Sequence, residues 1–234
     1  MSNYTISDIS RIIGGAVNCN SGQHINQLVI DSRKIYFPET SLFFALEGVQ
    51  NNGHHYINRL YKNGIRNFVI SEATDESLYP GACFIKVNNT LQALQQLAAF
   101  HRKQFHYPVI GITGSNGKTI VKEWLFQLLS NEYNIVRSPK SYNSQVGVPL
   151  SVWQMNALHE LAIFEAGISL PGEMEQLQKI ICPTIGIFTF LGNAHDEGFT
   201  DHHAKLKEKL QLFIESEIVF YCADEKEVDA AIAD

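Results

Sequence analysis

The residues of this chain that are best suited to chemistry lie between positions 109 and 119. Residues 109–112 are apolar or small and predict a buried strand. A glycine-rich turn follows, and then Lys118, Thr119 and a segment with helical periodicity. Glycines let backbone N–H groups point at an anion, and a helix N-terminus adds partial positive charge. Lys118 can reach the β- and γ-phosphates of a nucleotide, and the Thr119 hydroxyl can bind Mg²⁺. The expected ATP-binding loop comprises Gly114, Ser115, Asn116, Gly117, Lys118 and Thr119.

The spacing of this loop departs slightly from the usual G-x-x-x-x-G-K-T pattern. Ile112 stands five residues before Gly117, the nearest glycine before it is Gly111, and Gly114 lies inside the loop. An ordinary glycine-rich turn, followed by chance by Lys and Thr, is the alternative interpretation. The predicted strand and helix on either side of the loop favour the phosphate site.

Length and composition restrict the class of protein. A chain of 234 residues with 45% hydrophobic and 18% charged residues can bury a core in one large or two modest domains. The formal net charge of −6 disfavours a surface that binds nucleic acid. The N-terminus lacks a basic region followed by an apolar one, and no apolar run approaches the roughly 18 residues of a membrane span. We therefore expect a cytoplasmic protein with no membrane or nucleic-acid partner. We take it to be a monomer, although the residues are silent on oligomeric state.

The cysteines indicate neither a zinc knuckle nor a disulfide framework. No two of them are close in sequence and none forms a C-x-x-C pair, so we expect reduced thiols, three of them buried in or beside apolar runs. The four residues are Cys19, Cys83, Cys182 and Cys222.

The order of predicted elements divides the chain into three parts. Residues 1–88 indicate a small α/β domain, 89–107 a connecting helix, and 108–234 a domain in which strands and helices alternate. Such alternation favours a parallel sheet with helices on both faces. The predicted strands are 28–30, 41–46, 67–71, 82–87, 109–113, 134–137, 161–165, 185–190 and 218–222. The predicted helices are a short one from Thr5 to Gly14, then 56–63, 91–105, 119–130, 148–155, 173–181 and 202–215, with one or two turns at 225–234.

Three predicted loops leave strands at the carboxyl edge of the second sheet, where ligands bind in parallel α/β folds. One is the phosphate loop, the second begins with Glu165, and the third contains His195. Topology therefore places Lys118, Glu165 and His195 around one crevice. Glu165 ends an apolar run, where a carboxylate is unusual unless it meets a cation. A strand-end acid in water is the alternative for Glu165, and a surface or helix-capping residue is the alternative for His195.

A group of histidines and acids around the third loop raises the question of zinc. Its spacing fits no zinc pattern, and a phosphate loop is accompanied by Mg²⁺. The group consists of His195, Asp196, Glu197, His202 and His203.

Lys209 lies at the edge of the apolar face of the helix that follows, which carries Leu206, Leu210 and Phe213 at helical spacing. In one interpretation the lysine stem lies over Phe213 and its ammonium group is in water. In the other, the lysine is half-buried, has a lowered pKa and is available for modification. Lys207 points away from this face.

Seven stretches in order resemble the Mur ligases, ATP-dependent amide-forming enzymes of peptidoglycan precursor synthesis. The resemblance runs from about residue 25 to 215, and the glycine inside the phosphate loop is itself typical of that family. It is greatest to the members that add D-alanyl-D-alanine to UDP-N-acetylmuramoyl-tripeptide. The matching stretches are 31–33, 41–48, 52–54, 113–119, 143–150, 165–174 and 192–199.

The resemblance implies a fold and a set of roles. It implies a small UDP-binding α/β domain followed by a P-loop ATPase domain with a parallel sheet. Lys118 and Thr119 would serve ATP and a first Mg²⁺, Glu165 would ligate Mg²⁺, and His195 would help to hold a second Mg²⁺. Lys209 matches the position where these ligases carry a carbamylated lysine, whose carboxylate also serves the metal. The residues implied for the UDP-linked substrate are Ser32, Arg33, Asn52, His54, Asn143 and Ser144.

Some positions depart from the family pattern. The family commonly has Asp where Asn52 stands, Asn where Ser144 stands and often Asn where Ser169 stands. It also has a longer ATPase domain and a third domain, so we expect the second domain to be truncated here, and some relatives are fused to an alanine racemase. The alternatives are another Mur-type or folylpolyglutamate-type ligase, or a non-catalytic fragment that binds nucleotide or UDP.

Overall fold

The computed structural model describes residues 4–19, 22–33, 35–48, 51–192, 199 and 201–233. It divides the chain into two compact units, Met1–Leu97 and Ala98–Asp234. The division falls inside the segment 89–107 that was predicted to connect two domains, and the predicted domain limits themselves stay a prediction. None of the described helices is both long and apolar enough to cross a bilayer.

The first unit is built around a five-stranded sheet with the strand order β1-β5-β4-β3-β2. Strands β2 to β5 are parallel, and β1 pairs antiparallel with β5. Its elements are α1 (Ile6–Ile12), β1 (Ala16–Val17), β2 (Gln27–Val29), β3 (Ser41–Phe44), α2 (Ile57–Lys62), β4 (Asn67–Ile70) and β5 (Cys83–Lys86). Helix α3 (Thr90–Arg102) begins in this unit and ends in the second.

Apolar runs without polar alternation explain why β3 and β4 lie in the middle of this sheet. Every residue of both strands is buried, as expected for parallel strands that are covered on both faces. The core includes Phe43, Phe68 and Phe84, with the rings of Phe68 and Phe84 stacked at 5.1 Å. Helix α1 begins with a capping box between Thr5 and Asp8.

The prediction of reduced cysteines is wrong for one pair, because Cys19 and Cys83 form a disulfide with a Cα–Cα distance of 5.5 Å. The cause is β1, a two-residue strand too short to leave a sequence pattern. In its antiparallel pairing Val17 lies opposite Ile85, and continuation of that register brings Cys19 to Cys83. Cys182 and Cys222 are free thiols.

The second unit confirms the predicted alternation of strands and helices. Its five strands are all parallel, in the order β10-β9-β6-β8-β7. The elements are β6 (Val109–Thr113), α4 (Lys118–Leu129), β7 (Ile135–Arg137), α5 (Gly147–Val152), β8 (Leu161–Glu165), α6 (Glu173–Ile181), β9 (Ile185–Phe188), α7 (His202–Leu210), β10 (Ile218–Phe220) and α8 (Lys226–Ala233). The helix predicted for 202–215 ends at Leu210 and continues as a 3₁₀ turn, Gln211–Phe213.

Strand β6 occupies the middle of this sheet and is buried along its whole length. The chain passes from β6 to β7 and β8 on one side and then to β9 on the other, so the strand order reverses next to β6. Ligands of open α/β sheets bind at such a reversal, outside the carboxyl ends of the strands. This edge carries the loop after Thr113 and the end of β8 at Glu165.

The disulfide predicts a redox-dependent stability of the first unit. We expect dithiothreitol to lower its free energy of unfolding by about 2–4 kcal/mol, because the bridge joins residues that are 64 positions apart. Urea unfolding followed by circular dichroism measures the change. A Cys19→Ser/Cys83→Ser variant is the control and should unfold at the reduced midpoint with or without dithiothreitol. Equal midpoints for oxidised and reduced wild type would contradict the bridge.

Candidate nucleotide site

The loop between β6 and α4 has the backbone conformation of an anion-binding turn. Gly114 and Gly117 have φ values of 139° and 83°, which favour glycine. A Cβ on Gly114 would lie 2.1 Å from Thr189 Oγ1, so space also requires glycine there. The first turn of α4 has no side-chain cap among the described residues, which leaves its N–H groups directed at the loop.

The structure explains the unusual spacing of the glycines. Gly111 lies inside β6, where a Cβ would come within 2.8 Å of Pro183, so this glycine serves packing. Gly114 and Gly117 are the glycines of the loop. The loop is held against the end of β9 because Ser115 N donates to Phe190 O at 2.7 Å and Thr189 Oγ1 donates to the carbonyl of Asn116.

Lys118 lies over the loop that precedes it. Its Nζ donates to Gly114 O at 2.8 Å and to Ser115 O at 3.4 Å. Burial lowers the pKa of Lys118, the charge of Glu165 opposes that shift, and Lys205 adds to it. The ammonium group therefore stands at the phosphate loop, as the sequence predicts.

Glu165 is completely buried at the end of β8, so it is not a strand-end acid in water. Thr119 Oγ1 donates to its Oε2 at 3.0 Å. Its Oε1 lies 2.9 Å from the Nζ of Lys122, and both side chains are fully buried. No described residue donates a hydrogen bond to Oε1. This buried carboxylate oxygen can therefore accept a further cation.

This arrangement fits Mg²⁺. Hydroxyl and carboxylate oxygens are ligands that Mg²⁺ prefers, and Thr119 and Glu165 bring one of each together at the mouth of a phosphate loop. Glu165 Oε1, which receives no hydrogen bond from the described residues, is an acceptor that could bind a metal ion. Both residues were predicted from sequence, whereas Lys122 was not. The available signal was its position one helical turn after Lys118, on the same side of α4.

Lys209 is buried, with 2% of its surface exposed, so the interpretation with its ammonium group in water is wrong. Its Nζ donates to Gly114 O at 3.3 Å, the same carbonyl that Lys118 contacts. Burial, and then the charges of Lys118 and Lys205, lower the pKa of Lys209 to about 7. Lys207 is exposed. The amine of Lys209 therefore lies inside the nucleotide site and is partly neutral near neutral pH.

Lys205 is a site residue to which the sequence analysis assigned no role. It is buried, and its Nζ donates to Gly192 O at 2.6 Å. Ser115 Oγ donates to the same carbonyl at 2.9 Å. Lys205 stands one helical turn before Lys209, and that spacing was the signal that could have found it.

Some predicted residues lie outside the part of the chain that the structure describes. His195 falls in the segment 193–198, and its predicted role stays a prediction. The zinc alternative depends on the same segment. The described residues on either side of it are Gly192, which contacts Ser115 and Lys205, and Phe199.

Asn143 and Ser144 lie in the loop between β7 and α5, near the end of β8. The carbonyl of Asn143 accepts from Gly167 N at 2.8 Å, and its side chain packs against the Cα of Gly167. Ser144 Oγ accepts from Gly147 N at 3.2 Å, at the start of α5. The structure thus places Asn143 against Gly167, which follows Glu165 by two residues, and Ser144 at the start of α5. The contact of both residues with substrate stays a prediction.

The four predicted substrate residues of the first unit follow β2 and β3. Arg33 forms an exposed, two-point ion pair with Asp31 at 2.9 Å, and Ser32 lies between them. Asn52 Oδ1 accepts from the backbone and from Nδ1 of His54. His54 Nε2 accepts from Ser71 N at 3.0 Å and from Glu72 N at 3.2 Å. Burial lowers the pKa of His54, so a neutral imidazole fixes this loop.

Comparisons with known proteins agree with this geometry. A family model described as "Mur ligase middle domain" matches residues 112–234, and another described as "Mur ligase family, catalytic domain" matches residues 24–102. Curated relatives include two proteins named UDP-N-acetylmuramoyl-tripeptide--D-alanyl-D-alanine ligase. The one from Borreliella burgdorferi is 33% identical over 82% of this chain and 45% of its own length. The one from Bacillus subtilis is 27% identical over 94% and 49%. The chain thus spans about half the length of the curated relatives it matches.

Solved structures match the same region. MurF from Acinetobacter baumannii superposes with a TM-score of 0.84 and 23% identity over 97% of this chain and 52% of its own, which shows the fold. MurF ligase from Thermotoga maritima, solved in complex with ADP, superposes with a TM-score of 0.74 and 27% identity over 88% and 48% of the two chains.

Proposed function

Because the chain belongs to the Mur ligase family, we propose that it forms the UDP-substrate and ATP-binding part of a ligase that adds D-alanyl-D-alanine to UDP-N-acetylmuramoyl-tripeptide. The observation that carries the proposal is the partly buried contact of 3.0 Å between Thr119 Oγ1 and Glu165 Oε2, beside the loop of Lys118. It joins a phosphate-binding turn to a carboxylate that can hold a metal.

The proposed reaction is phosphoryl transfer from ATP to the terminal carboxylate of the tripeptide, which gives an acyl phosphate and ADP. The amine of D-alanyl-D-alanine then attacks the acyl carbon, phosphate leaves and an amide forms. The first step brings two anions together, the carboxylate and the γ-phosphate. Mg²⁺, when bound, would neutralise part of the negative charge of these two groups. Lys118 contributes a cation at the phosphates, Thr119 and Glu165 would hold a first Mg²⁺, His195 would help to hold a second, and the carbamate of Lys209 would also serve the metal.

The first unit is proposed to bind the UDP end of the substrate. Arg33 is a surface cation at the carboxyl end of β2, and Ser32 offers a neighbouring hydroxyl. Asn52 and His54 shape the loop after β3 through their mutual hydrogen bonds. Because ATP and UDP-linked precursors are made in the cytoplasm, that is the proposed location, with a monomer as the proposed state.

Lys209 is proposed to carry a carbamate. The neutral amine adds CO₂, a nitrogen–carbon bond forms and the amine loses a proton. The nearby cations of Lys118 and Lys205, which disfavour an ammonium group at Lys209, would stabilise the negative carbamate. The modification thus exchanges a group that repels a metal for one that binds it.

Nucleotide binding tests the phosphate loop. We expect calorimetry to show weak binding of Mg²⁺·ATP to the wild type and at least about tenfold weaker binding to Lys118→Ala, because a charge-assisted contact to phosphate is lost. Lys207→Ala, which removes an exposed lysine of α7, is the control and should bind as the wild type does. Equal affinity of wild type and Lys118→Ala would refute the loop as an ATP site.

Substrate binding tests the assignment of the first unit. We expect UDP-N-acetylmuramoyl-tripeptide to bind about tenfold less tightly to Arg33→Ala, because a cation facing the diphosphate is removed. Arg11→Ala is a matched control, since Arg11 also forms an exposed pair with a neighbouring aspartate, Asp8. An unchanged dissociation constant for Arg33→Ala would remove Arg33 from the site, and no binding by the wild type would contradict the proposed substrate.

Carbon-13 NMR in ¹³C-bicarbonate tests the carbamate. We expect a carbamate resonance that is lost in Lys209→Arg and kept in Lys207→Arg. The signal should be stronger at pH 8 than at pH 6, because a pKa of about 7 leaves the Lys209 amine mostly neutral above pH 7 and mostly protonated below it. A resonance that persists in Lys209→Arg would assign the carbamate to another lysine.

A further inference from the structure

Lys122 is fully buried on α4 and is surrounded by oxygen atoms. Its Nζ lies 2.9 Å from Glu165 Oε1 and 3.2 Å from Glu123 Oε1. It donates to Ser138 O at 2.8 Å and to the carbonyl of Lys140. Removing an ammonium group from water costs several kcal/mol, so a lysine persists here only because these groups replace its hydration.

The lysine is the inner cation of a row of alternating charges. Arg137 Nη2 pairs with Glu123 Oε2 at 2.9 Å, and its guanidinium lies 3.7 Å from the centre of the Phe126 ring. Glu123 then contacts Lys122, and Lys122 contacts Glu165. The row begins at the partly exposed Arg137 on β7 and ends at the completely buried carboxylate on β8. It therefore gives Lys122 a second acidic neighbour, Glu123, besides Glu165.

The hydrogen-bond donors of Lys122 explain how this lysine holds Glu165 while Oε1 of the carboxylate remains able to accept a metal ion. An ammonium group has three N–H donors, and two of them go to the carbonyls of Ser138 and Lys140. Glu165 Oε1 receives no hydrogen bond from any residue that the structure describes. The two groups attract each other by charge at 2.9 Å, and since a carboxylate oxygen has two lone pairs, Oε1 can still accept a metal ion.

The same lysine holds the loop after β7. Lys140 has a φ of 52°, in the left-handed region that residues other than glycine rarely adopt, and its carbonyl accepts a hydrogen bond from Lys122. Ser138 Oγ accepts from Glu165 N at 3.2 Å, so this loop also contacts Glu165 directly. Three structural parts meet at one ammonium group: α4, which carries it, β8 through Glu165, and the loop after β7 through two carbonyls.

We propose that Lys122 is a positioning residue for Mg²⁺-dependent nucleotide binding, because its charge holds the Glu165 carboxylate beside Thr119 with one oxygen open to the metal. The inference rests on the proposed ATP site. Before nucleotide and metal bind, Lys122 neutralises the buried glutamate. When they bind, it fixes the orientation that the metal meets.

The test is the gain in ADP affinity on adding Mg²⁺, measured by calorimetry as the ratio of dissociation constants in EDTA and in Mg²⁺. Residues that orient a metal ligand typically change metal affinity 10- to 100-fold when they are removed. We expect Lys122→Met to reduce the ratio by about tenfold or more while the affinity in EDTA stays within about twofold. Lys179→Met is the control, since Lys179 forms an exposed pair with Glu175 in the same unit and should leave the ratio unchanged.

Lys122→Gln separates the charge from a structural role. Its amide can still donate to the carbonyls of Ser138 and Lys140 but has no charge. We expect the ratio of ADP dissociation constants in EDTA and in Mg²⁺ to fall as far as it does in Lys122→Met. A wild-type ratio in folded Lys122→Gln would show that the lysine serves only the loop and would overturn the proposal.

A double variant covers the case in which neither single variant folds. Lys122→Met/Glu165→Gln removes both buried charges together. Since Lys122 acts through Glu165, the double variant should show the same ratio as Glu165→Gln alone. A lower ratio in the double variant than in Glu165→Gln alone would contradict the proposal. Absence of any Mg²⁺ gain in the wild type would instead contradict the proposed ATP site, so the two failures are distinguishable.

Discussion

A buried carboxylate needs a cation, and the site in the second unit is arranged around that requirement. Glu165 has no exposed surface, and an isolated ionised carboxylate in such a place would cost several kcal/mol. The charge of Lys122 and the hydroxyl of Thr119 offset this cost from two sides. Because the two residues lie on one helix and Glu165 lies on a strand, the pairing also fixes α4 against β8. The phosphate loop at the start of α4 is thereby held at the carboxyl edge of the sheet.

Three lysines concentrate positive charge at the phosphate loop of this site. Lys118 and Lys209 donate to the carbonyl of Gly114, and Lys205 donates to that of Gly192. Their mutual repulsion contributes to the lowered pKa values of Lys118 and Lys209. An anion placed among them would relieve that repulsion, which is how a chain with a net charge of −6 can offer the proposed phosphate site.

Much of this arrangement could be predicted from the sequence, because each strand of the second unit is followed by its own helix. That alternation predicts a parallel sheet, and the sheet in turn brings Lys118, Thr119 and Glu165 to one edge. Contacts between elements distant in sequence were missed. The row from Arg137 to Lys122 depends on the packing of α4 beside β7, and the disulfide depends on β1, which is only two residues long. Burial of Lys209 depends on how α7 packs at the phosphate loop, and helical periodicity could only place it at an edge.

The most direct test of this account is a crystal structure of the chain with ADP and Mn²⁺, in which anomalous scattering locates the metal. The account predicts an anomalous peak bound directly by Thr119 Oγ1 and a carboxylate oxygen of Glu165, with Lys122 still in contact with Glu165. A metal bound to the nucleotide alone, with the Glu165 carboxylate turned wholly to Lys122, would contradict the claim that this buried pair is arranged to receive a cation.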